Sequence, residues 1–121
     1  MPDAIVRFRY PGRDAEDGRD DPRRKHFYLC QTDRVVSEIQ VMAKGAHNSL
    51  HSHATEDGVW IVLAGAAIFY GEGDIVIAEL GTHEGVLLPA GTKYWFESTS
   101  DEPLEILRVD YQIGSAVAAQ T

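Results

Sequence analysis

A chain of 121 residues with one cysteine, Cys30, is long enough for a single domain with a modest core, and it cannot form an internal disulfide or a cysteine-rich metal site. Its formal net charge of −8 argues against nucleic acid and against an anionic membrane surface as partners, since both need a basic face. Met1 to Gly12 holds no apolar leader segment and no apolar run approaches a membrane span, so the expectation is a soluble cytoplasmic protein.

Taken in order, Ala4 to Tyr10 has the β-branched and aromatic character of a short strand. Pro11 to Lys25 is almost all charge, Gly and Pro, and it holds too little apolar surface to offset the entropy of ordering itself. This stretch reads as a mobile surface loop, either a plain solvated connector or a lid or partner-binding segment. His26 to Leu29 resumes a strand pattern. From Val35 to Thr99 short strand-like runs alternate with turn residues, and Leu104 to Tyr111 closes the series with clear alternation. No helical period and no internal repeat is present. The expected division is an N-terminal segment over 1–34, a β-structured unit over 35–113 and a frayed tail over 114–121, all in one domain. This spacing predicts an all-β barrel or sandwich.

The chain is organised around Gly45 to Gly65, GAHNSLHSHATEDGVWIVLAG. His51 and His53 are one residue apart, so in a strand they point to the same face, roughly 6–7 Å apart. Two imidazoles converging from one strand are placed to hold a divalent metal ion. Gly45, His51-x-His53, the acidic turn and Gly65 resemble the first motif of the cupin family. Pro89-Ala90-Gly91 is similar to the Pro-x-Gly of its second motif. The resemblance covers roughly residues 35–110.

The resemblance implies a small antiparallel β-barrel, the jelly-roll-like double-stranded β-helix, and a homodimer. It also implies one divalent ion per chain (iron, nickel, zinc or manganese) on His51 and His53. The family's third ligand is a glutamate in the following turn, and here the sequence departs. Counted from His53 the position is Asp57; counted back from Gly65 it is Gly58, which has no ligand. Asp57 or Glu56 either reaches the metal or is a turn residue. The fourth position, a histidine in the family, is Tyr94. Its phenol is either a ligand, once its proton is lost, or a hydrogen-bond donor with a packed ring. His47, on the same strand parity, and His83 are the spare imidazoles. Trp60 and Phe96 are candidates for lining the ligand pocket, with Trp60 and Val62 facing inward if the glycine count holds, or Val59, Ile61 and Leu63 if the histidine count does. The resemblance points to an enzyme acting on a small organic molecule, of oxygenase, isomerase or cyclase type. Tyr94, Glu56 or Asp57 would handle protons. A non-catalytic ligand-binding or sensing module, or a barrel with a vestigial site, are the alternatives.

Overall fold

The computed structural model describes residues 4–113. Eight strands form two antiparallel sheets: β1 (Arg24–Gln31), β2 (Val35–Met42), β3 (Glu56–Ala64), β4 (Ala67–Tyr70), β5 (Val76–Leu80), β6 (Gly85–Leu88), β7 (Trp95–Ser98) and β8 (Leu104–Gln112). The order is β1-β2-β8-β3-β6 in the larger sheet and β5-β4-β7 in the smaller. The one helical feature among the described residues is a 3-10 turn over Glu72–Asp74 between β4 and β5. No helix of the described residues is long and apolar enough to cross a membrane.

Strand alternation decides what lies between the sheets. Trp60 and Val62 of β3, Phe69 of β4, Phe96 of β7, and Leu104 and Ile106 of β8 meet in a dry core with Met42. The glycine count is therefore the one the backbone follows: Gly58, Trp60 and Val62 face in, while Val59, Ile61 and Leu63 face out. A second, smaller core lies on the outer face of the larger sheet. There Phe27, Ile39 and Val41 pack under Tyr10 and Ala15, with Leu29 and Leu107 beside them.

That second core corrects two expectations. Pro11 to Lys25 is not a lid over the barrel mouth. Its first part is a strap across the outer face of the sheet. The Lys25 ammonium donates to the carbonyls of Arg13 and, at 2.8 Å, Ala15. The Asp17 carboxylate accepts the His26 amide at 2.8 Å. Few apolar residues are needed because one ammonium and one carboxylate collect the strap's backbone groups. Ala4 to Tyr10 forms no strand. It pairs with no other segment, and β propensity without a ladder partner does not make a strand. Ile5 is 97% exposed, and Val6 and Phe8 are exposed too; only Tyr10 docks, edge-on to Phe27 at 5.5 Å and donating to Glu105 at 2.6 Å. The tail over 114–121 lies outside the described residues.

Candidate functional site

The barrel mouth is built where the chain before β3 runs beside β7. His51 and Tyr94 exchange backbone hydrogen bonds at 3.0 and 2.9 Å, and the Gly91 amide donates to the His53 carbonyl at 2.9 Å. These bonds fix His51 and His53 over Tyr94. The two imidazole rings stand at right angles, 5.0 Å apart, and lie 4.5 and 6.2 Å from the Tyr94 ring. His47 is not with them. It is exposed, edge-on to Trp95 at 5.7 Å, with Nδ1 against the Asn48 carbonyl. The cause is a register slip: His47 faces Glu97 and His51 faces Tyr94, so four residues on one side span three on the other. One extra residue reverses the side-chain facing. His83 lies in the β5–β6 loop, where its amide donates to Val62, far along β3 from Glu56. Its φ of 71° is left-handed, a conformation more natural to glycine.

The acidic turn separates by parity. Asp57 faces outward, where Oδ1 accepts the Ala90 amide at 2.8 Å and ties β3 to the Pro89–Gly91 turn. Glu56 faces inward. With His53, Trp60, Leu88, Tyr94 and Asp110 it lines a small cavity of about 10 Å³, room for one water. Phe96 takes no part in that lining; it is fully buried behind Trp60, ring centroids 4.9 Å apart.

Arg108 dominates this interior, and its side chain is largely buried. Nη1 donates to Glu38 at 3.2 Å, and Nη2 contacts the Asp110 carboxylate, lies 3.8 Å from Glu56 and approaches His53 Nε2 at 3.3 Å. The guanidinium also lies over the Trp60 ring, 5.4 Å from its centre. Gln40 donates to Glu38 at 3.0 Å and Gln112 to Glu56 at 2.6 Å. Glu38, 3% exposed, is the most deeply buried of the three carboxylates. Burial alone would raise its pKa, but hydrogen bonds from His26 and Gln40 and the charge of Arg108 bring it down to about 2. Burial pushes Asp110 up to about 6, reinforced by a hydrogen bond shared with Glu56. For Glu56 burial is outweighed by bonds from Asp110 and Gln112, and it stays below the usual carboxylate range. Burial, then Arg108, holds His53 below the usual imidazole value. Burial raises the Tyr94 phenol to about 12 in spite of Arg108.

The donor set was tested against a four-ligand divalent ion, and it does not fit one. His51 offers a free Nε2, because Nδ1 sits 2.6 Å from the Ser49 carbonyl and is the protonated nitrogen. The lone pair of His53 Nε2 faces Arg108. Asp57 is engaged elsewhere, Gly58 has no side chain, and Tyr94 is held as the neutral phenol. Among the described residues no three His, Cys, Asp or Glu side chains are grouped to hold an ion.

Sequence reasoning missed Arg108, Asp110, Glu38 and Gln40. Their signal was present in strand parity. Arg108 and Asp110 continue the inward series of Leu104 and Ile106, and Glu38 and Gln40 share a face with Met42. Charged residues on the apolar parity of a strand mark a polar interior.

The family model for the cupin domain matches residues 38–110. No match was found among curated proteins. Among solved structures, KdgF from Halomonas sp. is 16% identical, with 90% of this chain and 96% of that one covered and a TM-score of 0.73. A cupin superfamily protein from Desulfitobacterium hafniense DCB-2 is 20% identical over 84% of each chain, with a TM-score of 0.65. A predicted oxalate decarboxylase from Thermotoga maritima is 18% identical over 74% of this chain and 80% of that one, with a TM-score of 0.67. The matched span runs from Glu38 to Asp110, two residues of the Arg108 cluster, and takes in the smaller sheet, the larger sheet from Glu38 of β2 onward and the histidine pair. On that match, the chain belongs to the cupin family.

Proposed function

We propose that this cupin is an enzyme of isomerase type that moves protons on a small, neutral hydroxy-carbonyl compound at the barrel mouth. The observation that carries the reading is the Glu56–Asp110 carboxyl pair, sharing a hydrogen bond at one small cavity with His53 and Tyr94. Their environments drive the two carboxyls apart, which is how one site holds a base and an acid together. Glu56, ionised, takes the proton from the carbon next to the carbonyl. It returns a proton to the neighbouring carbon, while Asp110 gives a proton to the carbonyl oxygen and takes one back from the former hydroxyl oxygen, with the Tyr94 hydroxyl donating a hydrogen bond to the oxygen between. The cavity admits about one oxygen-sized group, so the carbonyl enters beside Trp60 and the rest of the molecule lies across His51 at the mouth. Two ionised carboxylates, Glu38 and Glu56, and the Asp110 carboxyl against one guanidinium make the interior unsuited to an anion, and a dicarboxylate such as oxalate is therefore disfavoured. The test is turnover of neutral hydroxy-carbonyl compounds, with small acids and phenols as comparison, by chelator-treated protein. Glu56→Gln and Asp110→Asn are expected to lose it. Saturable binding without turnover would favour a sensing module instead.

A second reading keeps the metal. One divalent ion (iron, nickel, zinc or manganese) on His51 and His53 would supply Lewis-acid or oxygen chemistry, as in an oxygenase or cyclase. It is supported by the free Nε2 of His51 and the 5.0 Å approach of the two rings. Elemental analysis of untagged protein and of His51→Ala separates the two readings. For assembly, a homodimer is proposed on the uncovered half of the larger sheet, where Val59, Leu63, Leu87 and Tyr111 are exposed on one outer face.

A further inference from the structure

We infer that the Arg108 guanidinium takes the place of a metal cation: with Arg108 among them, His53, Glu56 and Asp110 are not grouped to hold an ion, and its removal would let them close on one, with His51 beside them. The three groups around its Nη2 are all metal-ligand types. Arg108 Nη2 touches the Asp110 carboxylate, lies 3.8 Å from Glu56 Oε2 and 3.3 Å from His53 Nε2. The cation belongs to β8, a central strand bonded on both sides, so it is delivered at fixed depth and cannot drift away.

The neighbouring substitutions form a consistent set around it. A Cβ built on Gly58 would stand 3.1 Å from Asp110 Oδ1 and 3.5 Å from Trp60 Nε1. The missing side chain at 58 is thus what admits Asp110, on the strand partnered with Gly58, to the cluster. Tyr94 replaces a fourth donor with a ring that stacks on Phe69 at 6.1 Å and a phenol that keeps its proton. The outward turn of Asp57 leaves Glu56 as the inward carboxylate. Arg108 is anchored from its other side by Glu38, which is itself held by Gln40. A divalent ion on His53 would sit within a few ångströms of the guanidinium, where like charges repel strongly in a poorly solvated interior. Arg108 and the ion therefore exclude one another. This inference does not depend on any catalytic activity.

Removal of Arg108 should unmask the site. Chelator-treated wild type, Arg108→Met and Arg108→Lys are titrated with Co²⁺, followed by its visible absorption, and with Zn²⁺ by calorimetry. Wild type and Arg108→Lys, which keeps a cation, are expected to take up neither ion stoichiometrically. Arg108→Met is expected to bind one per chain with affinity raised at least about a hundredfold. His53→Ala in the Arg108→Met background is expected to abolish the gain. Arg108→Met leaves buried carboxylates uncompensated, so Arg108→Met/Glu38→Gln is measured beside it. If either variant is unfolded alone, Zn²⁺ is expected to fold it, as read by circular dichroism. The inference is overturned if wild type binds one ion that His53→Ala abolishes, or if neither variant gains metal or folds with it.

Discussion

Tyr94 lies between the site and the core, so its ring and its hydroxyl can be separated by one substitution. Tyr94→Phe keeps the packing on Phe69 and Trp60 and should leave stability within about 1 kcal/mol of wild type, because the hydroxyl has no protein partner to lose. Under the acid–base reading it should lower turnover by about a hundredfold. Equal turnover in both proteins would remove Tyr94 from the chemistry. Asp110 makes a prediction in pH. Its carboxyl is raised from 3.8 to about 6, so the folded chain holds this proton more tightly than the unfolded one. The stability that the group contributes is full below its unfolded value and is lost as pH rises through about 6. The melting temperature of Asp110→Asn minus that of wild type should therefore be more positive at about pH 7.5 than at about pH 4. The subtraction removes the opposite trend from His53, whose depressed value makes acid destabilising. A difference that is flat with pH would count against the buried-carboxyl account. The histidine pair was legible in sequence because a two-residue spacing survives any strand geometry. Arg108 was harder to read: it shares the parity of Leu104 and Ile106, but a charged residue on a strand ordinarily faces water, and the pairing of β8 with β2 and β3 is what shows that face to be interior.

The elements were legible wherever alternation had a partner to act on. Short strands between turns, the β4–β5 turn and the closing strand β8 all follow from composition and spacing. What could not be read was pairing. Ala4 to Tyr10 carries strand composition yet has no ladder, and the slip between His47 and His51 is set by β7, more than forty residues downstream. The pairing of β3 with β6 is open to a sharp test. A Cβ on Gly85 would run into the Trp60 carbonyl oxygen and lie 3.3 Å from Ile61 Cα, both backbone atoms of β3. Gly85→Ala should therefore cost about 2 kcal/mol or more in stability, as forced crowding of a packed backbone does. Chemical denaturation gives the value, and an unchanged midpoint would show that β6 is free to move away from β3.

Across the whole molecule, the strap covers only half of the larger sheet's outer face. Val59 and Leu87 on the other half are 47% and 59% exposed and adjacent across the β3–β6 pairing. Light scattering should give a dimer, and Leu87→Glu should give a folded monomer at tens of micromolar, by setting a charge in an apolar interface. A wild-type monomer at that concentration would end the dimer proposal. The strap has a further effect, on the strand beneath it. From Ser37 to Met42 every residue of β2 is buried, because Ile39 and Val41 are sealed by the strap while Glu38, Gln40 and Met42 are sealed by the barrel. The strand is also bonded along both edges, to β1 and to β8. Its amides have no route to solvent short of opening the whole protein. In heavy water the deuterium front should move inward from β5 and β6, at the sheet edges, and reach β2 last. The exchange rate of β2 would then report the global unfolding free energy directly.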